Sequence, residues 1–132
     1  MQAQKFNEIL ERRIELTRKV LSSKAKEYAT DENALGYDRL HNFNRAAEML
    51  RVSRERALVG MLTKHLVSIL DIVDKFNYDK PSFEMVEEKI GDSINYLILL
   101  EAAMKEDIED IGTVSDIINK EVVAFKKSKA KK

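Results

Sequence analysis

The sequence reads as an all-α protein, with four principal helices and a short C-terminal one packed as a bundle and expected to self-associate. Three observations carry this reading. Apolar residues recur at spacings of three and four almost throughout, the period of a helix with one covered face. Helix breakers are scarce, with one Pro and four Gly in 132 residues. The periodic runs are separated by polar breaks that hold helix-capping residues, Ser53, Ser82 and Thr113.

The first helix is expected from about Gln4 to Tyr28, with the stripe Phe6, Leu10, Ile14, Thr17, Leu21, Ala25 and Tyr28 facing inward and charged residues covering the other side. Thr30-Asp31-Glu32-Asn33 and Gly36 interrupt the pattern. This polar loop, flanked by Tyr28 and Tyr37, is of the kind that carries function more often than stability. A short second helix runs from about Arg39 to Arg51, with Leu40, Phe43, Ala47 and Leu50 on its apolar face. Ser53 then caps a third helix, Arg54 to about Phe76, which is apolar on most sides and therefore expected at the centre. Its polar positions Lys64, Ser68, Asp71 and Lys75 share one face. After the turn Asn77 to Pro81, Ser82 caps a fourth helix from Phe83 to about Lys105. The segment Tyr96 to Leu100 is apolar all round, which predicts burial on several sides. A break is read at Glu109 to Gly112, followed by a short fifth helix from Val114 to about Phe125.

Residues 1–125 are read as one domain and 126–132 as a Lys-rich flexible tail. Setting aside the five Lys of that tail leaves 18 basic against 23 acidic residues, so the domain carries a charge of −5. That argues against a nucleic-acid-binding surface. There is no Cys, which excludes disulfides and thiolate metal sites, and the two His cannot make a zinc site without carboxylates. No run of apolar residues reaches the ~18 of a membrane span. The N-terminus opens into an amphipathic pattern, and a cytoplasmic location is the expectation.

One feature of the fourth helix needs a partner. Glu84, Glu88, Asp92 and Asn95 recur at four, four and three, a polar stripe on a mostly apolar helix. Buried carboxylates are costly unless paired or bound to a cation. Two readings stand. The stripe meets the third-helix face Lys64–Ser68–Asp71, or His65, as interhelical glue. Alternatively Glu88, Asp92 and Asp71, with Glu48 in addition, supply hard oxygen ligands to Mg²⁺.

Several short motifs run in order along residues 20–107. They are Lys24-Ala25-Lys26-Glu27-Tyr28, Leu40-His41-Asn42-Phe43 with Ala46-Ala47, Lys64-His65-Leu66-Val67-Ser68 with Asp71, and Glu87-Glu88-Lys89-Ile90-Gly91-Asp92 with Asn95-Tyr96. Their order resembles small helical proteins encoded by phages and prophages and grouped with nucleotide-modification-associated domains. The segment Glu88 to Asp92 is also similar to the E-E-L-G-D turn of MazG-like all-α nucleoside triphosphate pyrophosphohydrolases, in which paired acidic residues hold Mg²⁺. This resemblance implies a nucleotide or other phosphorylated small molecule as ligand, and homodimers or higher oligomers. It implies Mg²⁺ as a cofactor on Glu88, Asp92 and Asp71, with Glu88 and Asp92 as the catalytic pair. Lys24, Lys64 and His65 would contact phosphate, Tyr28 and Phe43 would stack on a base, and Asn42, Ser68, Asn95 and Tyr96 would complete the ligand site. Lys89 stands where those enzymes place a Glu, three residues before Asp92. Three readings follow: a Mg²⁺-dependent hydrolase, a helical protein that sequesters a nucleotide without turnover, and a non-enzymatic interaction module.

Overall fold

The computed structural model describes residues 1–27 and 38–130, and their side chains apart from those of 24–27 and 111–115. The described residues form four helices and no strand: α1 (Ala3–Glu27), α2 (His41–Leu50), α3 (Arg54–Lys75) and α4 (Phe83–Ala130). None of them is long and apolar enough to cross a membrane. The chain divides into two compact units, Met1–Leu100 and Glu101–Lys132.

Local chemistry explains where the helices begin and end. The Asp38 carboxylate accepts from the Leu40 backbone N–H at 2.9 Å and from the Asn44 amide at 3.3 Å, so it organises the entry to α2. At the other end Arg51 adopts a left-handed conformation, φ 56° and ψ 44°. The Val52 N–H then closes on the Ala47 carbonyl at 3.1 Å, which satisfies one of the carbonyls left over at a helix end. Ser53 caps α3 as expected, accepting from the Arg56 N–H at 3.1 Å. Ser82 does the same for α4, accepting from the Met85 N–H at 3.1 Å.

In the unit Met1–Leu100 the buried apolar side chains are Leu40, Ala47, Ala57, Leu58 and Leu62, where α2 lies against α3. Only the first half of α3 is central. Leu66, Val67, Leu70, Val73 and Phe76 are exposed, although the sequence predicts a central helix that is apolar on most sides. The expected burial of Tyr96 to Leu100 on several sides is likewise partial, because Leu97 and Ile98 are exposed. On α1, Phe6, Leu10 and Ile14 of the predicted inward stripe are also exposed. For α3 the reason is geometric: α2 spans 10 residues against 22 in α3, too short to cover more than about half of it.

The interruption expected at Glu109 to Gly112 does not occur. Helix α4 passes through it and reaches Ala130, so residues 114–125 belong to the same helix as residues 83–105, and residues 126–130 of the Lys-rich segment are helical too. A lone Gly costs a helix only about 1 kcal/mol, and no Pro is present to remove a hydrogen bond there.

Ion pairing joins α1 to α4. The Arg12 guanidinium makes a two-point contact with Glu87, its Nε to Oε1 and its Nη2 to Oε2, the latter at 2.9 Å. Hydrogen bonding from Arg12 holds the Glu87 carboxyl below its usual range. Arg13 donates to the Glu87 carbonyl at 2.9 Å and crosses α4 at Gly91, where an added Cβ would meet the guanidinium at 2.5 Å. Gly91 therefore leaves room for the Arg13 guanidinium to lie across α4. Gly60 differs, since nothing lies within 4 Å of a Cβ built there. Gly60→Ala is expected to stabilise the protein by about 1 kcal/mol through helix propensity alone, read as a higher urea midpoint at unchanged slope.

Candidate functional site

The last turns of α4 in the first unit place Asp92, Asn95, Tyr96 and Leu99 on one face, because three- and four-residue steps return to the same side of a helix. Asn42 and Phe43 of α2, Arg39 from the turn before it, and Leu21 of α1 border the same space. Together these eight residues line a cavity of about 220 Å³. Asn42, Phe43, Asp92, Asn95 and Tyr96 are all candidates named from the sequence, and the fold brings them together.

Asn95 is the chemically distinctive member. It is 8% exposed, and its Oδ1 has no hydrogen-bond partner. An unpaired buried amide oxygen costs about 1–3 kcal/mol, so the position is unfavourable unless something donates to it. Asp92 is half-buried, with its Oδ2 3.8 Å from His65 Nδ1. That distance suits an ion pair when the imidazole is protonated and is too long for a hydrogen bond. The His65 ring also stacks on Tyr96, 5.0 Å between centroids at 28°, and Phe43 meets Tyr96 edge to face at 6.3 Å. His65 therefore touches two of the cavity's walls without being one of them. Arg39 supplies a cation: its Nη2 donates to the Leu21 carbonyl at 3.1 Å, which leaves other guanidinium donors for a ligand.

A second hollow of about 270 Å³ shares Asp92 and Asn95 with the first. Its other walls include Glu84, Glu87 and Glu88 of α4 and Arg13 and Thr17 of α1. Thr17 Oγ1 is buried and unpaired, like Asn95 Oδ1. Glu88 and Asp92 thus border one hollow. Asp71 is exposed and lines neither, and no three His, Cys, Asp or Glu side chains converge as a metal site among the described residues.

The partner of the acidic stripe is His65 rather than Lys64. Lys64 is exposed, and the Ser68 hydroxyl donates to the Lys64 carbonyl of its own helix at 3.2 Å. Lys24 lies in α1 with its side chain outside the described residues, and Tyr28 and the loop after it lie outside them altogether. Sequence reasoning missed Arg39 and Leu21. Leu21 looks like one more member of an apolar stripe, and nothing in the spacing shows that the start of α2 returns beside it. The match of Arg12 to Glu87 was equally silent, as the two are separated by 75 positions.

The chain matches no protein-family model, no curated protein and no solved structure.

Proposed function

We propose that this protein binds a nucleotide, or another phosphorylated small molecule with a planar ring, in the cavity between α1, α2 and α4. The unpaired, buried Oδ1 of Asn95 carries the reading: it is an acceptor placed beside a second acceptor, Asp92, and a cation, Arg39, in an enclosure walled by rings. A heterocycle presents ring N–H or amino donors that Asn95 and Asp92 would accept, while Arg39 favours an anionic group. His65 already occupies one face of Tyr96, which makes Phe43 the better surface for a planar ring. At about 220 Å³ the cavity is smaller than the ~300–1,000 Å³ of sites that enclose a whole drug-sized ligand. It suits a base, with the sugar and phosphates extending out of it.

Mg²⁺ is part of the proposal only through Glu88 and Asp92, which border the second hollow. Two carboxylates suffice for this ion when waters and ligand phosphates fill the remaining positions. Turnover as a MazG-like pyrophosphohydrolase rests on that pair, and sequestration without turnover needs only the cavity.

Thermal melts with a panel of nucleotides, each with and without Mg²⁺, test the reading. A ligand at a hundred times its dissociation constant adds about 2.7 kcal/mol and should raise the midpoint by roughly 10 °C. Phosphate or pyrophosphate release that disappears in Asp92→Asn would make the protein an enzyme. A flat response to every nucleotide would sink the proposal. It would favour the interaction-module reading, which the exposed Leu66, Leu70 and Val73 of α3 support.

A further inference from the structure

The unit Glu101–Lys132 consists, in its described part, of α4 alone. A helix seldom holds its shape in water by propensity; most of its stability comes from covering an amphipathic face. Ala103 is buried, but the large apolar side chains described beyond it are uncovered, with Ile108 64% and Phe125 62% exposed. Their order is specific. Met104, Ile108, Ile118, Val122 and Phe125 fall on a single seven-residue repeat at its first and fourth positions, conventionally a and d. The two intervening seam positions are Ile111 and Ser115 in the sequence. Six of these seven positions are apolar, across 22 residues. A break at Glu109 to Gly112 would have split the repeat between two helices; the uninterrupted α4 makes it one seam.

The charges beside the seam choose the partner. The flanking g positions carry Asp107 and Glu121, and the flanking e positions carry Lys105 and Lys126. In a parallel pair, g of one helix faces the following e of the other, which sets Glu121 beside Lys126 of a second copy, twice by symmetry. In an antiparallel pair g faces g and e faces e. Asp107 would then lie beside Glu121, and Lys105 beside Lys126, so both contacts would repel. A membrane surface fits less well, because Glu109, Asp110 and Asp116 lie on the outer face, where a lipid-binding helix carries Lys and Arg.

We propose that residues 104–126 of α4 associate as a parallel coiled coil with further copies of this chain. The seam supplies the affinity and the Glu121–Lys126 pairs set the direction. Ile at both a and d positions favours more than two strands, so a trimer is as consistent with the seam as a dimer. The inference does not depend on the cavity.

Sedimentation equilibrium on the full chain tests it, helped by neighbouring apolar residues that lie off the seam. Ile118→Asp with Val122→Asp should reduce a discrete dimer or trimer to the monomer mass. Ile117→Asp with Val123→Asp places the same charge on the same helix, at exposed positions outside the seam, and should leave the mass unchanged. Direction is read separately in the cysteine-free background. Lys129→Cys, at the next a position, should form a disulfide-linked species under mild oxidation, whereas an antiparallel pair would hold the two thiols about 40 Å apart. A monomeric parent, equal loss of mass in both double variants, no loss in either, or no cross-link through residue 129 would each overturn the proposal.

Discussion

Leu58→Ala is expected to destabilise the fold by about 3–5 kcal/mol, the largest effect of any single truncation among the described residues. Leu58 is 0% exposed and is the one large side chain there that is fully enclosed. Its loss removes the transfer energy of the missing methyl groups and leaves a cavity that the surrounding packing fills only in part. A domain of this size holds about 5–15 kcal/mol in all, so the variant should unfold at much lower urea. Leu66→Ala, two turns further along the same helix, provides the contrast. Leu66 is 49% exposed, and its truncation should move the midpoint little in the isolated chain. Equal losses at the two positions would mean that the second half of α3 is covered in solution.

Asn95→Leu is expected to act in opposite directions on stability and on binding. The Asn95 amide is buried with its oxygen unpaired, so an apolar side chain of similar volume should stabilise the ligand-free protein by about 1–2 kcal/mol. The same change removes the acceptor that the proposed ligand would use. The nucleotide-dependent rise in melting temperature should therefore vanish while the baseline melting temperature goes up. Such a pairing is what a residue kept for binding at the expense of stability would show. A fall in baseline stability would mean instead that the amide is satisfied in solution, for example by a water shared with Thr17. Undiminished nucleotide binding in the variant would remove Asn95 from the site.

Much of the candidate site was legible from helical spacing, because residues three and four apart on one helix share a face whatever the rest of the chain does. Asp92, Asn95 and Tyr96 are of this kind, and so is the inference that such a stripe must meet something. Which group it meets was not legible. Lys64 and His65 are adjacent in the sequence and point 100° apart around α3, so a small rotation of that helix decides between them. The rotation is set by how Leu58 and Leu62 seat against α2, a contact between elements rather than a property of either. Arg39 was invisible for a related reason: it precedes the helix and owes its place to the Leu21 carbonyl, 18 positions away.

The sequence by itself determined the all-helical class, the caps at Ser53 and Ser82, and the starts of α3 and α4, because these depend on side chains within a turn of the backbone they satisfy. It also determined the seven-residue repeat of α4, although the reading of a break at Gly112 concealed it. Only the tertiary structure decided which apolar faces are covered and which are left bare; on α3 that follows from the shorter length of α2. It alone placed His65, rather than Lys64, against Asp92. Periodicity states which residues share a face of one helix; what that face meets depends on how the helices rotate and end against one another.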